Sequence, residues 1–227
     1  MKYLVANLKM NMDYQQTKEY VQHFSFSKQI VFCPSFPFLS LFLEKNLTTG
    51  VQDISEHSLG SYTGEVSGQQ VAQMGISYTI IGHSERRKYE TKKTITSKIE
   101  QAKKNALSII LCVGEEENQD TKQILTEQLS ILKGISLSNL FIAYEPVWAI
   151  GTGKTPTKDQ IESTISFIKE YIQKNFKTSV PVLYGGSVDE RNIQALNEIS
   201  ILDGFLVGKA SCDVNAFQNM INILNLQ

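Results

Sequence analysis

The chain has 227 residues, 41% of them hydrophobic and 20% charged, with 22 Lys+Arg against 23 Asp+Glu for a formal charge of −1. A length of this order fits either two modest domains or one large α/β or all-β domain, and it buries roughly 70–75% of the unfolded surface, so no disulfide or metal staple is required. The near-zero charge supplies no global field for nucleic acid or an anionic membrane, so any anionic ligand has to be held by local groups.

Cys33, Cys112 and Cys212 are odd in number, widely spaced and without a CxxC pair. That pattern argues against a disulfide framework and a zinc cluster, and for a reducing, cytoplasmic setting. Met1-Lys2 leads into only four apolar residues before Asn7, too short a run for an export signal. No apolar run approaches the roughly 18 residues of a membrane span, and the longer ones, such as Ser108 to Val113, have strand length.

In chain order, an apolar run at 3–8 predicts a strand and 14–24 a helix, followed by a strand at 29–33 and a helix at 37–45. A strand at 49–53 runs into a long loop from Gln52 to Glu65, then a helix at 67–74, a strand at 77–81 and a helix at 91–105. The second half repeats the alternation: strand 107–112, helix 120–133, strand 139–144, helix 157–175, strand 180–184, helix 189–197, strand 203–207 and helix 213–224. Asp13, Thr157, Asp189 and Asp213 stand as cap-type residues at helix starts. A helix after every strand signals parallel pairing through crossovers, and eight such units favour a closed (β/α)8 barrel over an open doubly wound sheet. No linker or low-complexity tract divides the chain, so residues 1–227 read as a single α/β domain.

A site in such a barrel is built at the C-terminal ends of the strands. Polar groups cluster there: Asn7-Leu8-Lys9 after strand 1, Gly82 to Arg87 after strand 4, Glu145 to Lys154 after strand 6, Tyr184 to Ser187 after strand 7, and Gly208 to Ser211 after strand 8. Asn7 and Lys9 are two apart and face the same side of a strand, with Lys9 placing a cation at the mouth; alone, the pair also fits a solvated lysine beside a turn. His83 precedes a stretch that could begin a short helical turn, where a histidine is often only a hydrogen-bonded structural residue. Glu145 ends an apolar strand and is followed by Pro146, which restrains the residue before it; such a carboxylate also fits a cap or ion-pair role. Val147 to Thr152 is mostly apolar in what should be a surface loop, a pattern that requires Trp148 and Ile150 to pack down in some state. Gly185-Gly186-Ser187 and Gly208-Lys209 are glycine-rich turns where barrels often hold phosphate with backbone N–H groups.

The segments GHSERR, AYEPVWAIGTGK and YGGSV, in this order, resemble the signature motifs of the triosephosphate isomerase family, and the resemblance covers nearly the whole chain. It implies a single-domain TIM barrel that interconverts dihydroxyacetone phosphate and D-glyceraldehyde 3-phosphate by proton transfer through an enediolate, in glycolysis and gluconeogenesis, with neither metal nor organic cofactor. By the resemblance, Glu145 is the base, neutral His83 polarises the carbonyl and shuttles protons, and Lys9 and Asn7 support the developing charge; this family is itself a standard worked case of the neutral-histidine and glutamate pairing. Glu85 is implied as a supporting group near Lys9, with an ion pair to an arginine as the equal alternative. The N–H groups of Gly151 in the lid and of the turns at Ser187, Gly208 and Lys209 are implied to hold the phosphate. The family usually has Gly-Gly where this chain has Gly208-Lys209, so the Lys209 N–H is expected to remain a donor only if the position needs no positive φ. Pro156 stands close after the lid and bears on its second hinge. The 52–65 loop is implied to build a homodimer, Thr63 approaching the partner's Asn7, with Asp53 standing where asparagine is usual.

A nucleotide site fits poorly. The P-loop pattern ending at Gly153-Lys154-Thr155 would need glycine where Trp148 stands, and the dinucleotide fingerprint meets Pro156 in place of its third glycine. The alternatives kept open are another sugar-phosphate barrel enzyme and a non-catalytic phosphate-ligand binder. Neither nucleic acid nor membrane is expected as a partner.

Overall fold

The computed structural model describes residues 2–150 and 155–226. Among them the strands are β1 (Tyr3–Asn7), β2 (Ile30–Cys33), β3 (Gly50–Val51), β4 (Tyr78–Ile81), β5 (Ser108–Val113), β6 (Leu140–Tyr144), β7 (Val182–Tyr184) and β8 (Gly204–Val207). The helices are α1 (Tyr14–Tyr20), α2 (Leu39–Glu44), α3 (Gly68–Gln73), α4 (Ser84–Arg87), α5 (Lys92–Lys104), α6 (Thr121–Leu129), α7 (Lys158–Phe176), α8 (Ile193–Asn197) and α9 (Val214–Ile223). All pairings are parallel, in the order β2-β1-β8-β7-β6-β5-β4-β3. A parallel bridge between Phe32 and Thr49 joins the two ends of that order and closes the sheet into a (β/α)8 barrel.

The helices start where short polar side chains take up free backbone donors. Asp13, Ser67 and Thr157 each form a capping box with the glutamine three residues on, and Thr91, Asp120 and Asp213 each accept the N–H three residues on. Helix α7 buries Ile161, Ile165, Ile168 and Ile172, a stripe at helical spacing pressed against the barrel. Each such side chain contributes roughly 1.5–3 kcal/mol of burial.

One helix is shorter than its sequence pattern suggests. The span expected as a helix over 189–197 is helical only from Ile193, because Asp189 turns its carboxylate to the N–H groups of Arg191 and Asn192. A side chain that caps a helix can equally close a local turn, and here the turn prevails. The final turns of the helices expected over 14–24 and 120–133 are 3-10 turns at Val21–His23 and Ser130–Leu132. The strand expected over 49–53 keeps regular pairing only at Gly50 and Val51.

Strand parity positions the site. Val5, Val31, Cys33, Ile80, Ile110, Cys112, Phe141, Ala143, Leu183 and Leu206 form one buried cluster, the barrel interior. Their strand neighbours Leu4, Phe32, Ile81, Leu111, Ile142, Tyr184 and Phe205 belong to a second cluster shared with the helices. Side chains alternate along a strand, so the inward parity, carried on, reaches Asn7, Gly82, Gly114, Glu145, Gly185 and Gly208. The barrel is filled below and becomes polar or bare at its mouth.

Candidate active site

Glu145 is 3% exposed, and its Oε1 lies 3.2 Å from His83 Nε2. Two glycines make room for it. A Cβ on Gly114 would fall 1.7 Å from the Glu145 carbonyl oxygen, and one on Gly185 would fall 2.9 Å from its Cγ. The second carboxylate oxygen, Oε2, is buried and has no hydrogen-bond partner among the described residues. A buried carboxylate oxygen left unpaired is costly in the free protein and is reactive towards a proton delivered to it. Burial, and after it the Glu145 charge, pushes the neighbouring Cys112 thiol well above the usual thiol range, so Cys112 stays protonated.

His83 reaches the mouth through a break in parity. Gly82 takes a φ of 70°, a left-handed conformation that suits glycine, and the chain turns there into α4. His83 becomes the N-cap of α4, its Nδ1 accepting the Glu85 N–H at 3.2 Å. A ring nitrogen that accepts carries no proton, so this bond makes Nε2 the protonated nitrogen of a neutral imidazole, directed at Glu145. Behind the turn, Arg87 donates to the Cys112 carbonyl oxygen and ties α4 to β5.

Lys9 has a φ of 48°, unusual for a residue with a side chain. Three groups hold its backbone there: Asn7 Oδ1 accepts its N–H at 3.2 Å, while Ser35 Oγ at 2.7 Å and Gln52 Nε2 at 2.8 Å donate to its carbonyl oxygen. Its ammonium meets Glu85 Oε1 at 2.6 Å. Of the two roles open to Glu85, the geometry gives it the lysine and not an arginine. Burial acts to raise the Glu85 carboxyl, but the hydrogen bond and charge of Lys9 outweigh it and hold the group below its usual range.

These residues converge. Asn7, Lys9, His83, Glu145, Ser187, Gly208 and Lys209 all line one cavity of about 500 Å³. Glu85 lines an adjoining cavity of about 520 Å³ between the mouth and the 52–65 loop, with Met10, Gln52 and Gly64. Ser187 turns its hydroxyl to the Ala149 carbonyl oxygen at 2.6 Å, so in this state its side chain serves the chain that follows β6. Lys209 is not among the residues with positive φ. Gly151 and the rest of 151–154 lie outside the described residues.

The start of the loop after β6 is anchored by a residue that sequence reasoning missed. Glu115, 3% exposed, accepts from Trp148 Nε1 at 2.9 Å and from Tyr144 OH at 3.1 Å, and Trp148 and Ile150 are half-buried. Asp53, noted in the sequence for standing where asparagine is usual, pairs with Lys98 Nζ at 2.6 Å and Arg86 Nε at 3.1 Å, and Lys98 binds Glu90 at 2.6 Å as well. Glu115 could have been flagged only by its lack of another purpose. Among the described residues, no three His, Cys, Asp or Glu side chains are grouped as metal ligands.

The sequence model of the family described as Triosephosphate isomerase matches residues 2–224. Proteins named triosephosphate isomerase are similar along their full length. That of Mesomycoplasma hyorhinis is 38% identical over 240 aligned positions, covering 97% of each chain. That of Mycoplasma genitalium is 38% identical and that of Mycoplasma pneumoniae 39%, each covering 98% of both chains.

Proposed function

The chain belongs to the triosephosphate isomerase family, and from that premise we propose how its residues carry the interconversion of dihydroxyacetone phosphate and D-glyceraldehyde 3-phosphate. The observation that carries the reading is the buried Glu145 carboxylate, 3.2 Å from the protonated nitrogen of a neutral His83, in a cavity that Lys9 also lines. Substrate entering between the two side chains places its carbonyl oxygen at His83 Nε2 and its adjacent carbon at Glu145. Glu145 takes the proton from that carbon, and the electron pair moves into the new carbon–carbon double bond as the carbonyl oxygen gains negative charge. His83 gives its Nε2 proton to that oxygen and recovers one from the neighbouring hydroxyl. Glu145 then returns its proton to the other carbon, so the reaction is redox-neutral overall.

Asn7 and Lys9 stabilise the charge developing on the oxygens, and Glu85 holds the Lys9 ammonium in place. The N–H groups of Gly151, Ser187, Gly208 and Lys209 cup the phosphate. Because Lys9, His83 and Glu145 are all present and converge, a non-catalytic phosphate binder is the poorer reading.

Residues 1–227 act as one catalytic domain in the cytoplasm; no helix among the described residues is long and apolar enough to cross a membrane. The working unit is a homodimer built through the 52–65 loop. In support, residues 58–65 are all exposed, with Leu59 at 53% and Tyr62 at 45%, and His57 stacks on Tyr62 at 4.0 Å to hold the loop's shape. Thr63 of this loop approaches Asn7 of the second subunit, and full activity remaining in a monomer at low concentration would exclude that arrangement.

A coupled assay of triose phosphate interconversion on wild type and Glu145→Gln tests the chemistry. Activity in the first and its near loss in the second is the expected result. An inactive wild type, or an undiminished variant, sinks it.

A further inference from the structure

We infer that the side chain of Lys209, beyond its backbone N–H, is the phosphate-capturing cation of the site. This rests on the phosphate end of the cavity lying at the turns after β7 and β8, as proposed above.

Charge pairing around the cavity singles this residue out. Among the described residues the cavity is lined by three cations, Lys9, Arg191 and Lys209, and three carboxylates, Glu145, Asp189 and Asp213. Lys9 is engaged by Glu85 at 2.6 Å, and Arg191 is paired with Asp189. Asp213 spends one oxygen on the Ala216 N–H as the cap of α9. Lys209 is exposed and has no ion-pair partner among the described residues, so its charge is not offset by a neighbour.

With Lys9 and Arg191 both paired, Lys209 is the cation among the described lining residues whose charge no neighbour offsets, and its loss makes the lining one unit more negative, unfavourable for a phosphate dianion. Lys209 opens the 3-10 turn Lys209–Cys212 directly after Gly208, and a Cβ at Gly208 would lie 3.9 Å from Lys9 Nζ. Lys9 thus lies beside Gly208, one residue from Lys209, and both lysines line the same cavity. Lys9 is committed to Glu85 and faces the reacting oxygens. Lys209 is left to draw the phosphate in from solution. An exposed cation does this through the field it projects, so its effect falls on substrate capture and is screened by salt.

The experiment compares wild type with Lys209→Gln, which keeps most of the side chain's length without its charge, and with Lys209→Gly, which keeps only the backbone donor. At about 10 mM ionic strength both variants should lose roughly tenfold in kcat/KM, carried by KM, and the loss should shrink below about twofold near 0.3 M salt. The dissociation constant of inorganic phosphate, read by titration calorimetry without turnover, should rise by a similar factor. Variants within twofold of wild type at low salt, or an equal loss at every salt concentration, overturn the inference. If wild type proves inactive, the proposed reaction fails first, and the phosphate titration still tests Lys209 by itself.

Discussion

The mouth of the barrel has two halves built on opposite principles. Around β4 and β6 the working groups are buried side chains: His83 and Glu145 are 6% and 3% exposed, and Gly114 and Gly185 hem Glu145. Around β7 and β8 the proposed phosphate turns offer backbone donors and, at Lys209, an exposed lysine. The first half gains strength from low dielectric and fixed geometry, and it has no slack. The second gains from long-range charge and tolerates change. Damage to the first should therefore appear in kcat and damage to the second in KM.

The largest effect expected on this division is that of Glu145→Gln. Loss of the base should lower kcat by about 10³-fold, while thermal stability holds or rises because a buried charge is removed. A tenfold loss or less would mean that the buried half is not where the proton moves. Next comes Gly185→Ala, which leaves every polar group in place. Its methyl group would sit 2.9 Å from Glu145 Cγ and displace the carboxylate; a displacement of the order of 1 Å corresponds to roughly 10² in kcat. If steady-state kinetics put the loss in KM instead, the sharp contrast between halves dissolves.

Ser187→Ala probes the softer half. It removes the bond to the Ala149 carbonyl, and the expected rise in KM is about threefold to tenfold. A kcat loss as large as that of Gly185→Ala would place Ser187 with the rigid groups.

The smallest effect concerns stability. Burial raises the Asp53 carboxyl above its usual range despite the attraction of Lys98 and Arg86. A carboxyl raised on folding binds its proton more tightly in the native state. Its ionisation therefore weakens the fold as pH rises from 3.8 through the raised value, and the penalty is complete above it. Asp53→Asn should thus stabilise the protein at pH 7 by on the order of 1 kcal/mol, and by less near pH 4. Thermal unfolding at the two pH values reads the difference, and a lower melting temperature at pH 7 would show that pairing with Lys98 outweighs burial.

The strands were legible because they are apolar runs closed by a polar residue, glycine or proline, and the helices because their caps are local. Where a residue type serves two local purposes, the reading fails, as Asp189 shows by closing a turn in place of starting a helix. Lys9, His83 and Glu145 stand at strand ends and could be picked out by position. Their supports could not. Ser35 and Gln52 reach the Lys9 carbonyl from 26 and 43 residues away, and Glu115 meets Trp148 across 33, separations fixed only when the barrel closes.

The alternation along the strands has a further consequence for how this protein can change length. Each strand is a reading frame in steps of two, and Glu145 is in frame with Ala143 and Phe141. One residue deleted within β6 would put Glu145 among the helices and Tyr144 inside the barrel in the place of Ala143. The connection from Arg87 to Lys92, by contrast, lies outside every strand, and losing or gaining a residue there shifts no frame. Evolution is thus free to trim the rind of this molecule residue by residue, but can edit its staves only in pairs.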